Sequence, residues 1–241
     1  MENATPPPAW DFKSGEVLFF NKPLKWSSFF LVKKVRRLIG KEKVGHAGTL
    51  DPLATGLMIL CTGKKTKTID SYMGMDKEYV MTLCIGATTP SLDSEFPPEN
   101  LRDASALTRE ALEALLPQFL GEQQQMPPMY SAIKVDGKRA YAAARKGQTV
   151  ELKPRTIHIR ELELLEFHPA EAGGQAAATF RVACSKGTYV RSLAADMGAA
   201  LGLGAYLTAL QRTRIGPHHL ANAWEFEQFS ALLAPEGSPG T

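Results

Sequence analysis

Apolar residues along this chain gather mostly in short continuous or alternating runs, with helical spacing in only a few places. Val17-Leu18-Phe19-Phe20 is a continuous apolar run ending at Asn21-Lys22-Pro23, the pattern of a buried strand closed by a turn. Ser27 or Ser28 then suits a helix N-cap, and a helix decorated with basic residues is predicted up to about Gly40. Leu57-Met58-Ile59-Leu60 predicts a second buried strand. Over residues 79–85 the apolar positions alternate, so Tyr79, Met81, Leu83 and Ile85 share a strand face that ends at Gly86. A polar, proline-containing connection over 88–100 leads to a predicted helix near 108–120, with Leu112, Leu115, Leu116 and Phe119 at helical spacing. Residues 125–154 read as an insertion with its own turn at Asp136-Gly137. Strands are predicted at 156–167 and 179–184, then a turn at Ser185-Lys186-Gly187 and a helix over about 189–201. No regular strand-helix alternation emerges, which predicts an α+β fold around a mixed, mostly antiparallel sheet flanked by helices and loops.

Composition sets broad bounds. At 241 residues, 44% hydrophobic and 22% charged, the chain suits a soluble globular protein with one large core or two small ones. Residues 1–12, with three consecutive prolines, and 233–241 read as disordered tails around a body over 13–232. No basic segment followed by an apolar one opens the chain, and no apolar run approaches the roughly 18 residues of a membrane span, so a cytoplasmic location without membrane contact is expected. Cys61, Cys84 and Cys184 are odd in number, far apart and set in apolar runs, as reduced core thiols would be; no metal-binding constellation is apparent.

The net charge of +3 hides an uneven distribution. Residues 31–67 hold nine Lys/Arg against two carboxylates, a net +7, and residues 129–155 hold seven against two, a net +5, leaving −9 for the remainder. Within the first segment positive charge flanks one loop on both sides in sequence, and together with the second segment it suggests a face that binds a polyanion, although either run alone also makes an ordinary solvated surface.

That loop, Gly45-His46-Ala47-Gly48-Thr49-Leu50-Asp51-Pro52-Leu53-Ala54-Thr55-Gly56, places one carboxylate and one imidazole in a glycine-hinged turn. Pro52 biases Asp51 toward an extended backbone that holds its carboxylate in a defined direction. Read alone, the same residues also make a polar turn before a buried strand. Other motifs fail: Gly56 and Gly63-Lys64-Lys65 have the wrong spacing for a phosphate loop and no Ser/Thr after lysine, and Gly202-Leu203-Gly204 neither completes a dinucleotide fingerprint nor follows a strand. His218-His219 reads as a surface pair.

The Asp51 loop resembles the catalytic motif of the TruB family of tRNA pseudouridine synthases, and other segments follow in that family's order. Asn21-Lys22-Pro23 with Trp26-Ser27-Ser28 resembles its N-terminal motif, Lys77-Glu78-Tyr79 its tyrosine motif, Gln125-Met126-Pro127-Pro128-Met129-Tyr130-Ser131-Ala132-Ile133-Lys134 its thumb-loop motif, and Gly187-Thr188-Tyr189-Val190-Arg191-Ser192-Leu193 its arginine motif. The similarity runs over about residues 15–216. Lys25 departs from it, where the family usually has glycine, and so does Pro90, where an aspartate is common. About 25 residues follow Gly216, too few for the RNA-binding PUA domain that ends many bacterial relatives, so a short form without it is expected.

The resemblance implies a pseudouridine synthase fold and isomerisation of uridine 55 in the tRNA T-loop after the base is flipped out. It implies no cofactor, no metal, no obligatory protein partner or guide RNA, and a monomer. Asp51 would be the nucleophile or base, Arg191 would lie beside it, and Tyr79 would stack on the uracil and handle the proton at C5. His46 would hold the opened RNA loop, Lys22 and Pro23 would line the pocket with Lys22 supporting Tyr79, and Leu210 would close its apolar wall. Gly48, Tyr189, Lys134, Lys138 and Arg139 complete the expected RNA contacts, the last three on a thumb over 125–154. Two further readings stay open: a relative that needs guide RNA and protein partners, and an RNA chaperone for which Asp51 is dispensable.

Overall fold

The computed structural model describes residues 10–131, 134–135, 138–139 and 151–233, the two short pieces as backbone only. Two compact units emerge, one from Met1–Met75 with Arg212–Thr241 and the other from Asp76–Gln211. Both are α+β with mostly antiparallel strands, as the hydrophobic pattern predicts.

In the first unit, β1 (Val17–Lys22) pairs antiparallel with β3 (Ala54–Thr62), Val17 facing Cys61 and Lys22 facing Gly56. The turn expected at Asn21 therefore starts later, because Asn21 and Lys22 still have partners on β3. Between them come α1 (Ser28–Leu38) and the short β2 (Val44–His46), which pairs antiparallel with the far end of β3. Ser27 is the N-cap of α1: its hydroxyl accepts from the Phe30 amide at 3.0 Å. Leu57 to Cys61 are fully buried, so β3 is covered on both faces, which explains its unbroken apolar run. Ala47, Leu57, Ile59, Cys61 and Ile215 form one core cluster.

Three elements of this unit are not legible in the sequence: β2, α2 (Ile69–Gly74), and the C-terminal helix, each far shorter than the roughly 11 residues over which a periodicity stands out. That helix is fastened by aromatic rings: Phe229 meets Phe20 edge-on at 4.9 Å between centroids and Trp10 at 5.1 Å. Trp10 and Phe12 thus belong to the folded body, and the expected tail boundary at residue 12 moves toward the N-terminus, because two large rings gain more by burial than by solvation. Residues 1–9 and 234–241, the rest of both expected tails, lie outside the described residues. His218, expected on the surface with His219, is half-buried and stacks on Phe19 at 4.7 Å.

In the second unit β4 (Lys77–Ile85) pairs antiparallel with β9 (Ala176–Cys184), and its buried and half-buried residues alternate as predicted. β9 pairs with β8 (Arg155–His168) through two register shifts, and β8 with β5 (Gly121–Gln125). Thr108 caps α3 (Arg109–Leu115), which runs into a 3-10 turn over Leu116–Phe119. β5 is a correction: Gln125, placed by the sequence at the start of the insertion, closes a strand, which the run Gly-Glu-Gln-Gln-Gln conceals because it carries no apolar alternation. Two-residue strands β6 (Lys134–Val135) and β7 (Lys138–Arg139) pair antiparallel; the predicted turn at Asp136-Gly137 and most of the expected thumb lie outside the described residues. α4 (Val190–Ala200) follows the predicted turn. β10 (Ala205–Ile215) is absent from the sequence expectations; it runs from the second unit into the first, where it continues to β11 (His218–His219) and, after a 3-10 turn, α5 (Phe226–Leu232).

Candidate active site

Asp51 lies in the connection between β2 and β3, a hairpin whose two strands pair from Val44–Thr62 to His46–Leu60. Three groups of contacts hold this loop from below. First, Arg212 is almost fully buried, 2% exposed, and its guanidinium donates to the carbonyls of Leu57 at 2.8 Å, Gly48 at 3.3 Å and Thr49 at 3.5 Å. Second, the Ser28 hydroxyl at the start of α1 bonds both backbone polar groups of Leu50. Third, the turn after β1 reaches Pro52: the Lys25 amide donates to the Pro52 carbonyl at 2.8 Å, and the Lys22 ammonium approaches the same oxygen at 3.5 Å. The Asp51 carbonyl itself accepts from the Ala54 amide at 3.0 Å. The backbone that carries the Asp51 carboxylate is thus fixed by the fold.

Lys22 is fully buried, and its ammonium donates to the carbonyls of Pro23 at 2.8 Å and Trp26 at 2.6 Å, so it braces the turn after β1. Burial lowers its pKa to about 8; attraction to Asp51 opposes this and repulsion from Arg212 adds to it. Pro23 is half-buried beside it. His46, on β2, is also half-buried, and its Nδ1 is buried without a hydrogen-bond partner. Burial pushes the imidazole pKa down and Arg212 pushes it further, against a hydrogen bond with the Gly48 backbone that raises it, so the ring favours its neutral form. Gly48 has φ 103°, a conformation that needs glycine.

The second unit carries Tyr79, Tyr189, Arg191 and Leu210. Tyr79 is on the buried face of β4, 8% exposed, and Leu210 is half-buried on β10. Arg191, at 6% exposure in the first turn of α4, donates to the Ser91 carbonyl at 2.9 Å and the Tyr130 carbonyl at 2.8 Å, and lies 3.7 Å from the Asp93 carboxylate. Asp93 is itself oriented by the Ser91 hydroxyl at 2.6 Å and the Glu95 amide at 3.0 Å. Tyr189 precedes α4; its amide donates to the Gln125 side chain at 2.8 Å, which donates back to the Tyr189 carbonyl at 3.0 Å, and Arg155 stacks over its ring at 4.9 Å. Together with the Ser192 hydroxyl on the Met126 carbonyl, these bonds fasten residues 125–130 to the start of α4. The side chains of Lys134, Lys138 and Arg139 lie outside the described structure; in backbone register Lys134 faces Arg139 and Val135 faces Lys138.

Ser28, Arg212, Asp93 and Gln125 are the supporting residues that the sequence reading missed. Ser28 falls within the Trp26-Ser27-Ser28 motif, and Arg212 follows Leu210 on the same strand. Nothing local marks a side chain that binds a carbonyl more than 150 residues away, as Arg212 binds Leu57.

Among the described residues no group of His, Cys, Asp and Glu could hold a metal ion, and no helix is long and apolar enough to cross a membrane. The family model described as "TruB family pseudouridylate synthase (N terminal domain)" matches residues 36–190, and that for the "tRNA pseudouridylate synthase B C-terminal domain" matches 191–238. This chain belongs to the TruB family. TruB proteins are pseudouridine synthases, which are isomerases, and the fold described above is theirs. TruB relatives named tRNA pseudouridine synthase B include that of Phocaeicola vulgatus, 53% identical over 229 residues, covering 92% of this chain and 95% of the relative. That of Bacteroides thetaiotaomicron is 54% identical with the same coverage. The Flavobacterium johnsoniae protein is 46% identical, covering 92% of this chain and 98% of the relative. Among solved structures, a chain in a crystal structure of a Cbf5-Nop10-Gar1 complex aligns with a TM-score of 0.69 at 26% identity, over 95% of this chain and 61% of that one.

Proposed function

We propose that this TruB protein acts alone on tRNA, converting uridine 55 of the T-loop to pseudouridine with Asp51 as the reacting carboxylate. The observation that carries the reading is the bracing of the Asp51 loop: buried Arg212, Lys22 and Ser28 fix the backbone on both sides of a carboxylate that needs a defined direction. The reaction breaks the N1–C1′ bond, turns the uracil and joins C5 to C1′; the C5 hydrogen leaves to solvent and N1 takes a proton. Atoms balance without a cofactor. An ionised carboxylate, with a reference pKa of about 3.9, has three routes here: attack on the sugar, attack on the base, or removal of a ribose proton.

In this reading Arg191 pairs with Asp51 and keeps it ionised, while Asp93 and the Ser91 carbonyl hold the guanidinium in place. Tyr79 stacks on the uracil and serves the proton transfer at C5, for which a phenol of reference pKa about 10 needs activation. His46 and Gly48 support the opened RNA loop, at a cost of roughly a few kcal/mol for extruding the base. Pro23 and Leu210 form apolar wall, Tyr189 contacts the RNA from the start of α4, and Lys134, Lys138 and Arg139 contact it from the thumb.

The test is release of tritium from uridine C5 of an unmodified tRNA transcript by the purified protein. Release without other proteins or RNA is expected, and Asp51→Asn abolishes it while tRNA binding persists. Full release by Asp51→Asn overturns the role of Asp51; release that needs a guide RNA overturns the stand-alone reading.

A further inference from the structure

Residues 24–41 contain Lys25, Lys33, Lys34, Arg36, Arg37 and Lys41 and no Asp or Glu. The structure makes this segment a two-sided object. Leu31 and Val35 of α1 are fully buried, while Lys33, Lys34, Arg36 and Arg37 are exposed. Phe29, Lys33 and Arg36 follow at spacings of four and three, so they share one stripe of the helix. Phe29 is 74% exposed and, among the described residues, makes no ring contact. Its neighbour Phe30 is different: it packs edge-on against Trp26, and the Lys34 ammonium caps both rings at 5.6–6.0 Å.

Lys25 adds an independent observation. Its φ is 67°, the left-handed region where glycine is at ease and a lysine is sterically strained. The backbone of this turn is tied to the catalytic loop, because the Lys25 amide donates to the Pro52 carbonyl next to Asp51. The fold does not need a lysine side chain there: it is exposed and, among the described residues, makes no hydrogen bond or ion pair. Strain kept at a functional loop, by a residue unsuited to the backbone, points to the side chain as its reason.

We propose that Lys25 and the Phe29–Lys33–Arg36 stripe form an RNA-contact surface beside the catalytic loop. The cations neutralise phosphates of the tRNA that delivers its uridine to Asp51, and Phe29 offers a stacking face to an unpaired base. This rests on the tRNA reading above. Charge complementarity favours RNA as the occupant: the stripe is cationic throughout, with one aromatic ring between its charges, the combination that grips a sugar-phosphate backbone and a base together.

The experiment compares the full chain with Lys25→Gly, Lys25→Asn, Phe29→Ser and Lys33→Gln. Each is measured for thermal melting, for anisotropy-detected binding to unmodified tRNA transcript over a potassium chloride series, and for steady-state tritium release. Lys25→Gly is expected to melt higher than the wild type and yet bind tRNA about three- to tenfold more weakly at low salt. Its plot of log Kd against log salt loses about one unit of slope, and the fall in kcat/KM appears mainly as a higher KM. Lys25→Asn, which tolerates the same φ without the charge, repeats the binding loss, as does Lys33→Gln. Phe29→Ser weakens binding about fivefold with the salt slope unchanged. A Lys25→Gly protein that melts higher but binds with wild-type affinity and slope overturns the proposal. If the wild type neither binds the transcript nor releases tritium, the tRNA reading itself falls, an outcome separate from the first.

Discussion

The Ser28 hydroxyl donates to the Leu50 carbonyl and accepts from the Leu50 amide, both at 2.8 Å, so one side chain at the start of α1 satisfies the whole backbone of the residue before Asp51. Ser28 and Leu50 are 3% and 4% exposed, so water cannot replace the hydroxyl. Ser28→Ala strands a buried donor and acceptor, and a loss of about 2–3 kcal/mol is expected. Urea denaturation checks it. A lower kcat should accompany the loss, because the loop that aims Asp51 loosens; unchanged stability would show that the loop repacks without the hydroxyl.

Arg212 acts on the other side of the same loop. Arg212→Lys retains the charge but cannot reach the carbonyls of Leu57, Gly48 and Thr49 together, since an ammonium lacks the guanidinium fork. The expected result is a stability loss of about 1–3 kcal/mol and a fall in tritium release that exceeds the fall in tRNA affinity. Equal losses in both would make Arg212 a general structural residue.

Gly56 faces Lys22 across the β1–β3 pair and has φ 107°. A Cβ there would lie 2.4 Å from the Arg212 carbonyl oxygen and 2.6 Å from its amide nitrogen, backbone atoms that cannot step aside. Gly56→Ala should therefore fail to accumulate as folded protein, or melt far below the wild type, whereas Gly40→Ala, with no heavy atom within 4 Å of its Cβ, is limited to the strain of its φ of 76°. Circular-dichroism melting of the two variants separates steric clash from backbone strain.

Lys22 makes stability depend on pH. Its folded pKa is lowered to about 8, below the roughly 10.4 of an unfolded lysine. Below pH 8 both states hold the proton and the folded protein carries the burden of a buried charge. Between about pH 8 and 10.4 the unfolded chain binds more protons, so this group makes stability rise with pH, by about 2–3 kcal/mol across the window. Urea midpoints of wild type and Lys22→Met at pH 7.5, 9 and 10 should diverge as pH rises, the wild type gaining on the variant; parallel curves would exclude a depressed Lys22 pKa.

Much of the fold could be read locally. The Val17-Leu18-Phe19-Phe20 and Leu57-Met58-Ile59-Leu60 runs, the alternation from Tyr79 to Ile85 and the Ser27 cap each produced the element expected of them, because periodicity and capping act over a few residues. β5 and β10 escape such a reading for the opposite reason. Polar strands owe their place to partners: Glu122, Gln123 and Gln124 are a strand only because β8 is beside them, and Arg212 fits within β10 only because the Leu57 and Gly48 carbonyls receive its guanidinium.

The sequence by itself determined the family motifs, the strand cores and the position of Asp51 in a glycine-hinged turn, since each is written in contiguous residue types and their spacing. Only the tertiary structure decided that Lys22 is a buried brace, that Ser28 and Arg212 hold the Asp51 loop from two sides, that Asp93 orients Arg191, and that Lys25 bears a left-handed backbone against Pro52. Those roles depend on which carbonyls and carboxylates come within about 3–4 Å of a side chain, a distance set by strand register and burial across the chain, not by its neighbours in sequence.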